Sequence, residues 1–263
     1  MSLRASGALL TVFLVSSTGA AAAAEPPALA KARALYNAAD YDGAIDAAAL
    51  ARAQPAAADA AALVTARSHL ERYRLRLDVA DLATAREALI SVRASMLPPR
   101  DQVDHLVGIG QSLYLANAFG AAAEVFDGAL GKAALLSHRD RLMLLDWWAS
   151  ALDREAQGRP PDRRLPAYER IVSRMEEELR QDPGSAPANY WLAAASRGTG
   201  DLDRAWSSAV AGWVRARLSP ETAEKLRSDI DRLVTQALVP ERARTTPARD
   251  PQIDWEETKQ QWP

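Results

Sequence analysis

The chain has 263 residues and a formal net charge of -2, with acidic and basic side chains interspersed along its length. This balance argues against a nucleic-acid-binding protein, which would carry a basic patch or a strongly basic isoelectric point. The chain contains no cysteine, which excludes a disulfide framework, a thiolate metal site and a cysteine-linked lipid anchor.

The first 24 residues have the pattern of a secretory signal peptide. Arg4 precedes an apolar run over residues 8–15, and a tract of small residues ends at residues 22–24, before Glu25. This order predicts cleavage after residue 24. A short membrane anchor is the alternative, but the apolar run is shorter than the about 20 residues that span a bilayer. We therefore expect a periplasmic or secreted protein, from a Gram-negative bacterium, with no integral membrane segment after cleavage.

A helical phrase recurs along the rest of the chain and is clearest over residues 106–130. One apolar stripe at helical spacing covers residues 106–114, and a second begins at Phe119 after a break at Asn117. Two antiparallel helices approach closely only where small residues meet. We therefore expect Gly110 to face small residues of the second helix.

Related phrases lie near both ends of the chain, over residues 32–51 and 192–212. The segments YDGAI (residues 41–45) and FGAAAEVF (residues 119–126) carry the pattern most clearly. These units resemble tetratricopeptide (TPR) repeats. The resemblance implies an all-α, right-handed solenoid of helical hairpins, with about five repeats and a C-terminal capping helix.

The second and fourth units are more divergent than the others. In the second we expect helices over residues 60–77 and 82–93, and in the fourth over residues 140–157 and 167–180. Residues 158–166 are too proline-rich to be helical and predict an exposed loop.

A capping helix is expected after the last repeat, from Pro220 to Leu238, so that the solenoid domain spans residues 25–238. Trp206 and Trp213 lie seven residues apart and should pack against this cap. The apolar face of the cap comprises Leu226, Ile230, Leu233, Val234 and Leu238.

Residues 239–263 are predicted to form a linker and a short tail. Asp250 and Pro251 are typical of a helix start, and Trp255 and Trp262 would share one face of that helix. A helix this short is marginal alone. We therefore expect it to dock back on the repeats, with anchorage of a partner as the alternative.

No catalytic pattern is found in the sequence. The three histidines, His69, His105 and His138, lack the spacing of metal ligands, and no nucleotide-binding or nucleophile motif occurs. His69 lies on the packed side of its predicted helix, which favours a structural role. We therefore expect a protein that is not an enzyme and uses no cofactor or metal.

The resemblance to TPR proteins implies a concave groove, lined by the first helix of each hairpin, that receives a peptide or a partner helix. The alternative is an ordinary solvated helix face with i, i+4 partners. The lysine and asparagine cluster with which some family members bind a C-terminal carboxylate is missing, so that preference is not transferred. The candidate partner-binding residues are Arg33, Tyr36, Asn37, Arg67, Asp104, Gln111, Tyr114, Asp146, Ser150, Asp153, Tyr190 and Arg197.

These observations predict a noncatalytic adaptor of the bacterial cell envelope that holds a peptide or partner protein in its groove. One alternative is a peptidoglycan- or carbohydrate-binding accessory protein that stacks sugars on Trp147, Trp255 and Trp262. Another is a structural subunit that self-assembles through the tail. The sequence does not identify the partner.

Overall fold

The computed structural model describes residues 25–218, 223–245 and 250–263. These residues are predominantly helical, and no strand occurs among them. The predicted signal peptide and Pro220, the expected start of the cap, lie outside the described residues. None of the described helices is long and apolar enough to cross a membrane.

Successive helices pack as antiparallel neighbours, and each first helix also contacts the first helix of the next pair. This arrangement is consistent with a helical solenoid. We call the surface built from α1, α3, α5, α7 and α9 the first-helix face. The pairs are α1 (Pro27–Asn37) with α2 (Tyr41–Arg52), α3 (Ala58–Arg76) with α4 (Val79–Ser91), α5 (Pro99–Leu115) with α6 (Phe119–Leu130), α7 (His138–Gln157) with α8 (Leu165–Gln181), and α9 (Ala186–Thr199) with α10 (Leu202–Arg215).

The turns within the pairs follow from local sequence. Asp40 accepts a hydrogen bond of 3.0 Å from the backbone N–H of Gly43 and so caps α2. Asn117 and Gly200 adopt left-handed backbone conformations, with φ of 61° and 86°. Both residue types tolerate this conformation, which ends one helix and allows the next to begin. The predicted break at Asn117 is confirmed.

Close contact between neighbouring helices depends on glycine, both within a pair and between one pair and the next. A Cβ atom on Gly110 would lie 2.4 Å from a ring carbon of Phe126. Gly198 stands in the same relation to Tyr168, with a separation of 2.5 Å. The close approach at Gly110 was expected, but an aromatic ring fills the space closest to it. A larger residue at either glycine would force the rings away.

The fourth pair differs slightly from the expectation. Residues 158–166 contain a short 3₁₀ helix at Pro161–Arg163, and α8 begins at Leu165 instead of residue 167. Pro166 therefore lies within the first turn of α8, where its missing N–H leaves no helical hydrogen bond unmade.

The C-terminal helices extend further than predicted. Helix α11 (Ala223–Leu233) runs through a π turn (Val234–Leu238) into α12 (Val239–Thr245), so the expected linker does not begin after residue 238. The wider π turn precedes Pro240, a residue that lacks an amide donor and crowds the preceding helical turn. The predicted apolar face of this segment is buried against α10, with Ile230 fully inaccessible to solvent.

The last helix, α13 (Pro251–Gln261), docks on the same chain. Trp255 is fully buried and meets Trp206 and Trp213 edge to face, at ring-centroid distances of 6.1 and 5.4 Å. The expectation that the tail docks back on the repeats is confirmed for this helix.

Candidate functional site

The structure separates the predicted groove residues into two groups along the first-helix face. Gln111 is buried in the packing of α5 and belongs to neither group. The N-terminal group comprises Arg33, Tyr36, Asn37, Arg67 and Asp104, which line one cleft. The C-terminal group comprises Tyr114, Asp146, Ser150, Asp153, Tyr190 and Arg197, on α5, α7 and α9.

The N-terminal cleft has a volume of about 280 Å³ and lies between α1, α3, α5 and the start of α7. Its apolar floor is formed by Ala60, Leu63 and Val64 of α3. Three residues that we did not predict complete the lining, namely Arg100, Asp101 and Asp140. Three arginines and three aspartates therefore line the cleft, and their formal charges cancel.

The arginines and aspartates of the cleft pair with one another across hairpins. Both terminal nitrogens of Arg33 donate to the two carboxylate oxygens of Asp101, at 3.1 and 2.6 Å. This hydrogen bonding raises the pKa of Arg33. Glu25 adds a further ion pair, with its Oε1 atom 2.8 Å from Nε of Arg33. Asp101 is buried, so its negative charge is neutralised by Arg33 where water has little access.

Asp104 is the second junction of this network. It accepts a hydrogen bond of 3.1 Å from Arg67 and lies 3.2 Å from Arg100, which also donates to Asp140 at 2.8 Å. Burial raises the pKa of Asp104, and the charges of Arg67 and Arg100 oppose that shift. The Arg67 guanidinium also lies 4.6 Å from the ring centroid of Tyr36, over its face. This ring face is therefore already covered.

The C-terminal group contains two carboxylates whose hydrogen bonds, among the described residues, come from neutral donors. Asp146 accepts a hydrogen bond of 2.9 Å from the indole N–H of Trp191. Asp153 accepts one of 2.6 Å from Gln157 and a further one from Tyr168. Within the described residues, neither carboxylate forms an ion pair with lysine or arginine. Burial raises the pKa of Asp153.

Tyr190 lies among these carboxylates. Its burial, followed by the negative charges of Asp229, Asp146 and Asp153, raises its pKa to about 12. The phenol is therefore protonated at neutral pH. Ser150 stands between the two aspartates on α7 and shares a hydrogen bond of 2.8 Å with the Tyr114 hydroxyl. We call Tyr114, Asp146, Ser150, Asp153 and Tyr190 the α7–α9 surface.

Arg197 is paired within the chain. Its Nε and Nη2 atoms donate to Oε1 of Glu241, at 2.9 and 2.6 Å. Glu241 belongs to α12, so this predicted groove residue links the last hairpin to the C-terminal cap. Its positive charge also lowers the pKa of Asp153 slightly against the dominant effect of burial.

The three tryptophans of the predicted sugar-stacking platforms lie in different environments. Trp255 is fully buried, so its assignment to such a platform is wrong. Trp147 is half-buried and meets the Tyr114 ring edge to face at 5.0 Å, while the Arg74 guanidinium lies 5.2 Å from its centroid. Trp262 is 42 % exposed. The three side chains therefore do not present one open aromatic surface.

Two of the histidines make packing interactions. Nδ1 of His69 lies 2.7 Å from the buried carboxylate of Asp81, as expected for a structural histidine. Nε2 of His105 lies 2.9 Å from the carbonyl oxygen of Leu89. In the part of the chain that the structure describes, no group of three metal-ligating side chains comes together.

Sequence reasoning missed the charges that close the N-terminal cleft. Arg100 and Asp104 are spaced i, i+4 on α5, which is a visible sign of a local ion pair. Asp101 gave no comparable signal, because its partner Arg33 lies 68 residues away in the chain.

No protein-family model, curated protein or solved structure shows significant similarity to this chain.

Proposed function

We propose that this protein is a noncatalytic scaffold of the bacterial cell envelope that binds a segment of a partner protein along its first-helix face. The proposal includes a right-handed, TPR-like arrangement of about five hairpins. Contacts between successive first helices support it, because they build one long surface that suits an extended ligand.

The observation that carries the proposal is that, among the described residues, neither Asp146 nor Asp153 forms an ion pair with lysine or arginine. Asp146 is exposed and Asp153 is partly buried. Removing the Asp153 carboxylate from water is unfavourable unless it is paired, and neutral donors offset this only in part. A lysine or arginine side chain from a partner would supply the missing cation through charge-assisted hydrogen bonds. Tyr190 adds an aromatic surface beside them. We therefore infer that the partner segment is positively charged where it meets the α7–α9 surface.

The N-terminal cleft would serve the same ligand in a different way. Its arginines and aspartates neutralise each other, so we expect it to meet the neutral amide groups of a peptide backbone and not a charged side chain. Its volume of about 280 Å³ is small for a drug-sized ligand. The cleft is therefore suited to hold a short stretch of polypeptide, while the α7–α9 surface binds a positively charged side chain of the same segment.

Export to the envelope is proposed from residues 1–24, whose charge and apolar pattern resemble a signal peptide. N-terminal sequencing of the protein from an envelope fraction tests this part. A chain that begins near Glu25 supports export, and a chain that retains residues 1–24 contradicts cleavage.

Binding is tested with an array of extended peptides that carry lysine, serine or glutamate at one central position. We expect the protein to prefer lysine peptides and the Asp146→Arg/Asp153→Arg variant to lose this preference. The matched control is Glu169→Arg/Glu177→Arg, which reverses two exposed charges on α8. Equal losses in both variants, or no preference for lysine in the unaltered protein, would contradict the proposal.

A further inference from the structure

The C-terminal helix α13 buries very few of its side chains against the rest of the fold. Of its eleven residues, only Pro251 and Trp255 are buried. Ile253 is 53 % exposed, although it is one of the larger apolar residues of the helix. The docked helix therefore depends on one aromatic anchor, as a bound peptide does.

The anchor enters a pocket that belongs to α10 and α11. Trp206 and Trp213 flank Trp255 edge to face, and Ile230 and Val234 form the apolar floor beneath it. Edge-to-face packing of indoles adds attraction to the burial of apolar area. The walls thus recognise the shape and the electrostatics of a single tryptophan.

Polar contacts fix the direction of the bound helix. The indole N–H of Trp255 donates to Oδ1 of Asp231 at 2.8 Å, and the Lys259 ammonium donates to the same oxygen at 3.0 Å. At the far end, the carbonyl oxygen of Trp262 accepts from Nε1 of Trp213 at 2.9 Å and from Arg227 at 3.2 Å. The site therefore contacts both the anchor and the end of the tail.

The pocket walls have supports that do not involve α13. Helix α10 packs directly against α11 and the π turn. The guanidinium of Arg227 lies 4.7 Å from the Trp213 centroid, and that of Arg242 lies 5.1 Å from the Trp206 centroid. An isolated helix of this length is unstable in water, so the tail gains its helical order from docking. Site and tail thus have the relation of a receptor and its peptide.

We propose that the α10–α11 pocket is a peptide-binding site that also accepts the tail of a second copy of this chain. Residues 250–263 are the peptide whose fit to the pocket is seen, and a second copy offers the identical residues. A short connection gives the chain's own tail an effective concentration on the order of millimolar, so it fills the pocket in dilute solution. Exchange between copies occurs where the protein is concentrated or its own tail is displaced.

The first test uses a labelled synthetic peptide of residues 250–263 and the full-length variant Trp255→Ala, whose own tail lacks the anchor. We expect the peptide to bind this variant at least tenfold more tightly than it binds the unaltered protein. A peptide with alanine in place of Trp255 should not bind. Failure of the peptide to bind a variant with unchanged helical circular dichroism would overturn the site.

The second test addresses the occupant by mixing two full-length variants. Trp255→Ala has a vacant pocket, whereas Asp231→Arg has an intact tail and a pocket that repels Lys259. We expect each variant to be a monomer alone and the mixture to form a 1:1 complex of twice the mass, measured by light scattering. Peptide binding without this complex would overturn the second copy as the occupant.

Discussion

The two ends of the first-helix face use the same residue types in opposite ways. In the N-terminal cleft, Asp101 and Asp104 are paired with arginines from other hairpins. On the α7–α9 surface, Asp146 and Asp153 accept hydrogen bonds only from neutral groups among the described residues. The comparison teaches that position on a binding face does not define a binding residue. What matters is whether another residue of the same chain already pairs with its charged group.

The difference predicts separate consequences for stability and for binding. Removing one member of a buried ion pair leaves the other charge without compensation and is strongly destabilising. Removing the partly buried Asp153 carboxylate relieves a desolvation cost instead, and removing the exposed Asp146 carboxylate has little effect on folding. Variants in the cleft should therefore affect mainly folding, and variants on the α7–α9 surface should affect mainly the affinity for a positively charged ligand.

The largest effect is expected for Asp101→Ala. This change leaves the Arg33 guanidinium with Glu25 alone, in a half-buried position that water can partly screen, and should lower the free energy of unfolding by about 2 kcal/mol. Urea denaturation followed by circular dichroism measures it. The double variant Arg33→Leu/Asp101→Ala should recover part of the loss. A single variant as stable as the parent would show that the cleft pairs are not a structural network.

The next effect concerns affinity. Asp146→Asn/Asp153→Asn keeps the shape of both side chains but removes their charges, so binding of a lysine peptide should fall at least tenfold. The free energy of unfolding should stay within about 1 kcal/mol of the parent or rise. Titration calorimetry and urea denaturation give the two values. A large loss of stability with unchanged affinity would reverse the proposed division between the two regions.

The pH dependence of binding should show an intermediate effect. Burial raises the pKa of Asp153 from its ordinary value. As pH falls from 7 towards 4, its carboxylate becomes protonated earlier than an exposed aspartate, and affinity for a cationic peptide should fall severalfold. The free energy of unfolding should change with pH in the opposite direction to affinity. Because the pKa of Asp153 is raised in the folded state, its contribution to stability is present at low pH and is lost as pH rises through the folded pKa. Affinity that stays constant over this range would contradict binding of the cationic peptide by the Asp153 carboxylate.

The smallest effect is expected for Arg197→Ala. Its ion pair with Glu241 is partly exposed, so the free energy of unfolding should change by less than about 1 kcal/mol. The loss of a positive charge near Asp153 should strengthen binding of a lysine peptide two- to threefold, as measured by calorimetry. Weaker binding would instead make Arg197 a direct contact of the ligand.

Local features of the fold could be predicted from the sequence, but the long-range pairing could not. The helix break at Asn117 and the cap at Asp40 depend on residues a few positions apart, whose effects are visible in the chain itself. The pairing of Arg33 with Asp101 depends on how separate hairpins meet. The same limit explains why Arg197 was predicted to bind a ligand although α12 supplies Glu241 as its partner.

The cluster of Trp206, Trp213 and Trp255 gives this molecule an optical property of its own. The ring centroid of Trp255 lies 5.4 Å from that of Trp213 and 6.1 Å from that of Trp206, and its plane is inclined at 74° to both. Indoles held at such separations couple their electronic transitions and produce paired signals of opposite sign in the ultraviolet circular dichroism spectrum. The coupling of Trp255 to the other two disappears when the tail leaves its pocket. The position of the tail can therefore be followed without any label, by the intensity of these paired circular dichroism signals.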